Sequence, residues 1–370
     1  VRIAVVGTRG VPALYGGFET AVEEISKRLV ERGHEVTVYC RPGYGDDTTP
    51  TYLGIQKRYL PRLHLKTAET LSHTLFAFLD LLFREPDVIL VTNPGNGPLC
   101  LIPRLRGTPF AINVGGLEWT RSKWSRLGRA YIRWAAWFTT KIAPAVIADS
   151  RGIQEFYRTT WGRETYYASY GAYPEHSTRP ELLARYGLEK NGYLLVVARL
   201  QPDNNTELVI RAFQEVATEK ELIIVGEANY GEAYVRRLQE LARDRRIRFL
   251  GGIYDQALLT EIMCNCFAYV HGHMAGGTNP VLLKALGCGA CILYLDTGYR
   301  FNTEVVGDHG IPFPLSVEGL RRVIQDLLDN PERADHYRRI ARERIGEAYN
   351  WDLVADQYES LFQSLCSAKA

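Results

Sequence analysis

His271 and His273 stand two residues apart where an apolar run ends, so an extended backbone puts both imidazoles on one side. The run Gly276-Gly277-Thr278-Asn279-Pro280 follows and leads into Val281-Leu282-Leu283-Lys284-Ala285-Leu286. Asn279 fits a helix N-cap and Pro280 the first helical turn. Glycines before such a start let an anion approach free backbone N–H groups. No carboxylate lies near the histidines in sequence, so polar substrate contacts are preferred to a metal site. Arg199, in Ala198-Arg199-Leu200-Gln201-Pro202-Asp203-Asn204-Asn205, directly follows another apolar run. A guanidinium there is a natural clamp for a diphosphate.

A second glycine-rich stretch runs from Gly7-Thr8-Arg9-Gly10 to Tyr15-Gly16-Gly17-Phe18-Glu19-Thr20, between a strand and a helix. It matches neither the dinucleotide fingerprint nor a Walker A loop, but it suits a ligand-facing anion site. Four of the seven cysteines cluster as Cys264, Cys266, Cys288 and Cys291. Zinc is one reading. Their place in apolar strand runs favours small buried thiols.

These loops need elements to hold them. Apolar runs alternate with amphipathic stretches, which predicts parallel sheets covered by helices. Strands are expected at Val1–Val6, Glu35–Cys40, Val88–Thr92, Pro109–Val114 and Ala145–Ala148, with helices near 19–32, 69–84 and 122–142. A polar stretch near Tyr170–Arg179 interrupts the pattern. It restarts with strands at Tyr193–Ala198, Glu221–Val225, Ile247–Leu250, Cys266–Val270 and Ala290–Leu295, and helices at 205–217, 230–243, 255–263 and 280–287. Residues 316–370 read as helices alone, the last capped by Asp352 with Leu353, Tyr358, Leu361 and Phe362 on one side. The expected domains are 1–172 with 351–370, and 173–350. In doubly wound sheets ligands sit beyond the carboxyl ends of the strands, and two such domains place the expected site in the cleft between them.

Composition agrees. Of 370 residues 46% are hydrophobic, with 44 Lys+Arg against 42 Asp+Glu. That excludes a disordered chain and argues against a dedicated nucleic-acid binder. The longest apolar stretch, Leu71 to Phe83, is too short to span a bilayer and carries His73 and Asp80. The first residues read as a strand and not a signal peptide, so a cytoplasmic location is expected.

The combined motifs resemble retaining glycosyltransferases of the GT-B fold, family 4, and within it the bacterial rhamnosyltransferase-like enzymes of polysaccharide biosynthesis. The resemblance rests on the two glycine-rich loops, Gly116-Leu117-Glu118-Trp119, Ala148-Asp149-Ser150, Tyr170-Gly171-Ala172, Ala198-Arg199-Leu200, His271-Gly272-His273, and Asn302 with Glu304. It implies two Rossmann-like domains, the first for the acceptor and the second for a UDP-, dTDP- or GDP-sugar, with the C-terminal helix crossing back to the first. It implies no metal and no cofactor. Arg199, His271 and His273 would be catalytic. Gly16, Gly17, Arg199, Asn204, Gly276, Gly277, Thr278 and Asn279 would hold the diphosphate and sugar. Arg9, Tyr15, Phe18, Glu19, Glu118 and Trp119 would face the acceptor, which is a saccharide, a lipid-linked saccharide or a small molecule.

The sequence departs from the family at three carboxylates. Lys284 stands where a ribose-binding Glu is usual, Gly115 where the subgroup has Asp, and Ala136 where Glu is common. Lys cannot accept from a diol; its expected role is to reach the phosphates or another anion. Two readings follow: a changed donor, or a catalytically silent homologue that binds a ligand or partner. Helix 122–142 also carries Arg126, Arg129 and Arg133 on one face, with Arg121 and Lys123 at its start and Trp124, Tyr131, Trp134 and Trp137 interleaved. A solvated domain helix is one reading. A peripheral contact with the inner face of a membrane is the other.

Overall fold

The computed structural model describes residues 1–14, 17–45, 48–64, 69–121, 124–227, 232–274, 276–298 and 301–368. Tyr15, Gly16, Ser122, Lys123 and the first residues expected of helix 230–243 lie outside them. The chain divides into two compact units. Val1–Thr120, Trp124–Tyr170 and Trp351–Ala370 make up the first, and Gly171–Asn350 forms the bulk of the second.

In the first unit β1 (Arg2–Val6) leads to α1 (Gly17–Glu31), β2 (Glu35–Cys40), β3 (Thr51–Tyr52), β4 (Ile55–Tyr59), α2 (Glu69–Leu81) and β5 (Val88–Thr92). There follow α3 (Leu101–Arg106), β6 (Phe110–Asn113), α4 (Arg126–Ile142), β7 (Ala145–Ala148), α5 (Arg151–Trp161) and β8 (Tyr166–Tyr167). The strands form one sheet in the order β3-β4-β2-β1-β5-β6-β7-β8, parallel except for the β3–β4 pair. β5, β6 and β7 are buried at every position, as helices on both faces require.

The second unit contains β9 (Tyr193–Val197), α6 (Thr206–Gln214), β10 (Glu221–Val225), α7 (Glu232–Leu241), β11 (Ile247–Gly251), α8 (Gln256–Asn265) and β12 (Ala268–His271). It closes with α9 (Pro280–Gly287), β13 (Ile292–Leu295), α10 (Phe301–Val306), β14 (Gly310–Phe313), α11 (Val317–Asp329) and α12 (Pro331–Ala348). Its sheet is wholly parallel, in the order β11-β10-β9-β12-β13-β14. The last helix, α13 (Trp351–Ser367), returns to the first unit. There Arg28 pairs with Asp352 at 2.7 Å and Arg32 with Glu359 at 2.6 Å, which tie it to α1.

Several expectations need correction. The basic helix starts at Arg126 and not at 122, because Ser125 caps it, its hydroxyl accepting from the Gly128 N–H at 3.2 Å. Asp352 lies inside the first turn of α13 and pairs with Arg28 instead of capping. Leu353 is exposed while Val354 is buried beside Tyr358, Leu361 and Phe362. The strand expected at Cys266–Val270 runs from Ala268 to His271, so His271 belongs to the sheet. β14 contains Pro312 and forms the sheet edge, where the missing N–H breaks no ladder.

Candidate functional site

The strand order of the second unit reverses between β9 and β12: from β9 the chain moves outward to β10, and it returns to place β12, still parallel, on the other side. Loops leaving the carboxyl ends of these two strands diverge, which opens a crevice there. Arg199 leaves β9 and His273 leaves β12. The two loops are stitched together. Asn205 donates through Nδ2 to the Gly272 carbonyl at 2.8 Å, and the Met274 N–H to the Asp203 carbonyl at 3.0 Å. Gly272 is obligatory by space, since a Cβ would come within 2.6 Å of the Asn204 carbonyl oxygen. Gly226 is tighter still, its Cβ position 1.8 Å from the Ala198 carbonyl oxygen, just before Arg199.

His271 and His273 stack with centroids 4.2 Å apart and planes 11° from parallel. His271 is fully enclosed, and its Nδ1 meets the Tyr269 hydroxyl at 3.3 Å. Burial holds its pKa well below the ordinary histidine value. Burial, with the charges of Arg121 and then Arg199 adding, pushes His273 down to about 3. Both rings are therefore neutral near pH 7. Only His273 has any exposure, so His271 acts as a support behind it. Asn302 fixes the loop from the far side, donating to the His273 carbonyl at 2.9 Å and the Leu295 carbonyl at 2.8 Å.

Asn279 caps α9 as its residue type predicts, its Oδ1 accepting from Val281 N at 2.9 Å and Leu282 N at 3.3 Å. Gly276 has a φ of 132° and nothing within 4 Å of a Cβ position. Gly277 stands half-buried beside it and Thr278 is buried. Together they present an open backbone at a helix start, suited to a phosphate. Asn204 plays another part: its side chain donates to the Arg199 carbonyl at 2.7 Å and so holds the arginine's backbone. Lys284 does not turn to this helix start. Its amine donates to Thr260 Oγ1 at 3.0 Å and lies 3.8 Å from Glu175, on the side where α8 packs. The expected anion is thus a carboxylate of the chain itself.

The residues expected on the acceptor side lie in the first unit and do different work. Glu19 is buried, and its Oε1 accepts from the Arg9 N–H at 3.2 Å and the Thr8 hydroxyl at 3.4 Å, bracing the β1–α1 loop. Gly17 opens α1, and Phe18 packs edge-on against Tyr170 at 6.2 Å. Gly115 has a φ of 55°, and a Cβ there would meet Phe18 at 2.8 Å. The absent side chain is therefore matched by the neighbouring ring. Ala136 is wholly buried on the inner face of α4, where a glutamate would be desolvated. Trp119 joins an aromatic cluster with Phe156 and Trp161, each 5.6 Å away. Glu118 accepts from the Trp124 indole at 3.3 Å. Sequence reasoning gave no site role to Tyr269 or Thr260. The alternation of Tyr269 with His271 was the available signal for the first; contact with Thr260 spans 24 residues and left none.

Among the described residues no three His, Cys, Asp or Glu side chains gather in a way that could hold a metal ion. Cys266 and Cys291 are buried, which pushes both thiols up to about 12. No helix among the described residues is long and apolar enough to cross a membrane.

Comparison with known proteins agrees with this architecture. Residues 16–166 match the family described as glycosyl transferase 4-like domain, and residues 178–344 match glycosyl transferases group 1. The chain is 22% identical to the phosphatidylinositol N-acetylglucosaminyltransferase gpi3 subunit of Schizosaccharomyces pombe, over 95% of this chain and 78% of that protein. It is 23% identical to a GDP-mannose-dependent alpha-(1-6)-phosphatidylinositol monomannoside mannosyltransferase of Mycolicibacterium smegmatis, over 88% of this chain and 89% of that one. Its fold is similar to that of Anabaena HepE in complex with UDP-glucose, with a TM-score of 0.79, 19% identity, and coverage of 98% of this chain and 99% of that one. Two matched domains spanning most of the sequence, each on its own parallel sheet, make this chain a glycosyltransferase of the GT-B fold in family 4, group 1.

Proposed function

We propose that the chain is a retaining, metal-independent hexosyltransferase that moves a sugar of the rhamnose or glucose type from a nucleoside diphosphate to a saccharide, a lipid-linked saccharide or a small-molecule acceptor. The observation that carries the reading is the Arg199 loop stitched beside an open α9 start with neutral His273 between them. HepE, which shares the fold, is a complex with UDP-glucose, and this supports a nucleotide-sugar donor.

As the glycosyl–phosphate bond breaks, negative charge grows on the leaving diphosphate. In this reading Arg199 and the N–H groups of the Gly277–Asn279 backbone stabilise that charge, as fixed donors do without reorganising when it forms. Neutral His273 offers a hydrogen bond to the transferred sugar without adding a cation. The leaving phosphate takes the acceptor proton on the face it departs, so the configuration is retained without paired carboxylates. The Lys284 amine, engaged with Thr260 and Glu175, leaves ribose recognition to other groups.

Helix α4 supports catalysis at the cytoplasmic face of a membrane. Arg126, Leu127, Arg129, Tyr131, Arg133, Trp134, Trp137 and Lys141 are all exposed along it. Aromatic rings among cations suit an anionic lipid surface. The names of the two phosphatidylinositol-glycosylating relatives agree with such a setting.

The test is calorimetry with UDP, dTDP and GDP, followed by transfer assays with the corresponding sugars. One base should bind, EDTA should leave transfer intact, and Arg199→Met should lower kcat/KM by about 10²–10³. Failure to bind any of the three overturns the reading. Co-sedimentation with anionic vesicles tests the membrane setting, which falls if no lipid-dependent pelleting occurs.

A further inference from the structure

The first unit gathers positive charge at the carboxyl ends of β1, β2 and β4. Arg9 follows β1, Arg41 follows β2 and Arg62 lies just beyond β4. Arg41 is only 6% exposed, and its main-chain N–H donates to the Arg9 carbonyl at 2.8 Å. Its Nη2 donates to Thr70 Oγ1 at 2.9 Å, its Nη1 lies 3.6 Å from Glu69, and its Nε is buried with no partner. Arg62 pairs with Glu69 through Nε at 2.6 Å and donates to the Pro42 carbonyl. The charged groups that act on Arg41 are Glu69, Arg9, Glu19 and Arg62.

Among the described residues, the charges acting around Arg41 are thus two further guanidiniums and two carboxylates, and Glu19 is already engaged by the Arg9 main-chain N–H and the Thr8 hydroxyl of its own loop. His73 adds no charge, since burial pushes it down to about 4; its ring nitrogen Nε2 donates to the Cys40 carbonyl at 3.0 Å, which fixes the end of β2. A buried guanidinium with an unused N–H is costly to keep in a merely structural role. Glu69, at the start of α2 and one-third exposed, bridges Arg41 and Arg62. It sits where an incoming anion would, and two arginine forks are geometrically matched to phosphate oxygens.

We infer that Arg9, Arg41 and Arg62 form an oxyanion site for a phosphate or diphosphate group carried by the acceptor, with Glu69 as the internal counter-ion it displaces. The inference rests on the reading of this chain as a transferase whose first unit takes the acceptor. Both a lipid-linked diphosphate and a sugar phosphate present this chemistry.

The experiment saturates the full chain with UDP, so that the second unit's phosphate site is filled, and then titrates inorganic pyrophosphate by calorimetry. A second binding event is expected. Arg62→Gln should weaken it about tenfold. Glu69→Gln should tighten it about five- to tenfold, because a competing carboxylate a few ångströms away is removed. Both residues are partly exposed, so neither variant depends on rebuilding the core, and UDP affinity should be unchanged in each. Farnesyl diphosphate binding more than fivefold tighter than pyrophosphate would point to a lipid-linked source; glucose 1-phosphate doing so would point to a sugar phosphate. No second event, or one that neither variant moves, overturns the site. Loss of the UDP step in the unmodified chain would count against the donor reading instead.

Discussion

Gly272→Ala probes how tightly the two loops of the second unit must approach. The added methyl would stand 2.6 Å from the Asn204 carbonyl oxygen and 3.3 Å from the Asn205 Cβ. Both neighbours belong to the segment that carries Arg199, and the first is backbone, so no side-chain rotation relieves the clash. The loops must separate by several tenths of an ångström, which also strains the 2.8 Å bond from Asn205 to the Gly272 carbonyl. Overpacking of this kind costs about 1–3 kcal/mol. At roughly 2–4 °C per kcal/mol for a unit of this size, the unfolding midpoint should fall visibly. Activity should fall further than stability, because Arg199 moves away from the α9 start. Misplacement on the ångström scale costs about 10²-fold, and a shift of part of that predicts roughly 10-fold or more in kcat/KM. Gly107→Ala is the control: it has a φ of 71° with nothing within 4 Å of its Cβ, so it should cost conformational strain alone and leave UDP affinity intact. Calorimetric UDP binding, steady-state transfer and thermal unfolding are measured on both. If Gly272→Ala kept the donor affinity and kcat/KM of the unmodified chain, the reasoning that this close approach positions Arg199 would be wrong.

Lys284→Gln should change UDP affinity by less than about twofold while lowering stability by roughly 1 kcal/mol, since the amine holds Thr260 and Glu175; a tenfold loss of affinity would return Lys284 to the donor. Glu261 accepts from Ser177 Oγ at 2.5 Å and the main-chain N–H groups of Thr178 at 2.7 Å and Arg179 at 2.6 Å. Burial works to raise its pKa, but these donors hold it below the ordinary glutamate value. Its stabilisation is therefore complete above the unfolded pKa of about 4.5 and is lost as pH falls through the lower folded value. Glu261→Gln should destabilise the chain by about 1–3 kcal/mol at pH 7 and flatten the acid limb of the stability profile, as urea titrations at stepped pH would record; an unchanged acid limb contradicts the assignment. Because His273 is held near 3, kcat/KM should show no histidine inflection around pH 6.5, and one that His273→Asn abolished would refute its neutrality. Asn302→Ala should cut kcat by roughly tenfold by freeing the His273 carbonyl, and a kcat within twofold of the unmodified chain would count against that support.

The parallel α/β architecture was legible because each central strand is an unbroken apolar run and each major helix has an amphipathic period. The elements that went unread are those whose residues carry no such signal. β4 is built from Ile55-Gln56-Lys57-Arg58-Tyr59, and it becomes a strand because β2 and β3 pair with it on either side. β8 has two residues, and β14 hides behind Gly310 and Pro312. The helix start at Asn279-Pro280 could be read directly, because capping is decided by neighbours in sequence.

Long-range packing decided the rest. Lys284 looked from its position like a cation for the phosphates, yet Thr260 and Glu175 reach its amine from 24 and 109 residues away in sequence. Gly115 looked like a lost carboxylate, and its space proves to be filled by Phe18, almost a hundred residues earlier. Arg9, Arg41 and Arg62 are unremarkable in sequence and become a cluster only when β1, β2 and β4 end side by side. Local spacing determined which residue types stand at strand ends and helix starts, because backbone geometry is set by near neighbours. What those side chains face was decided by the sheet order, because charge and packing act through space.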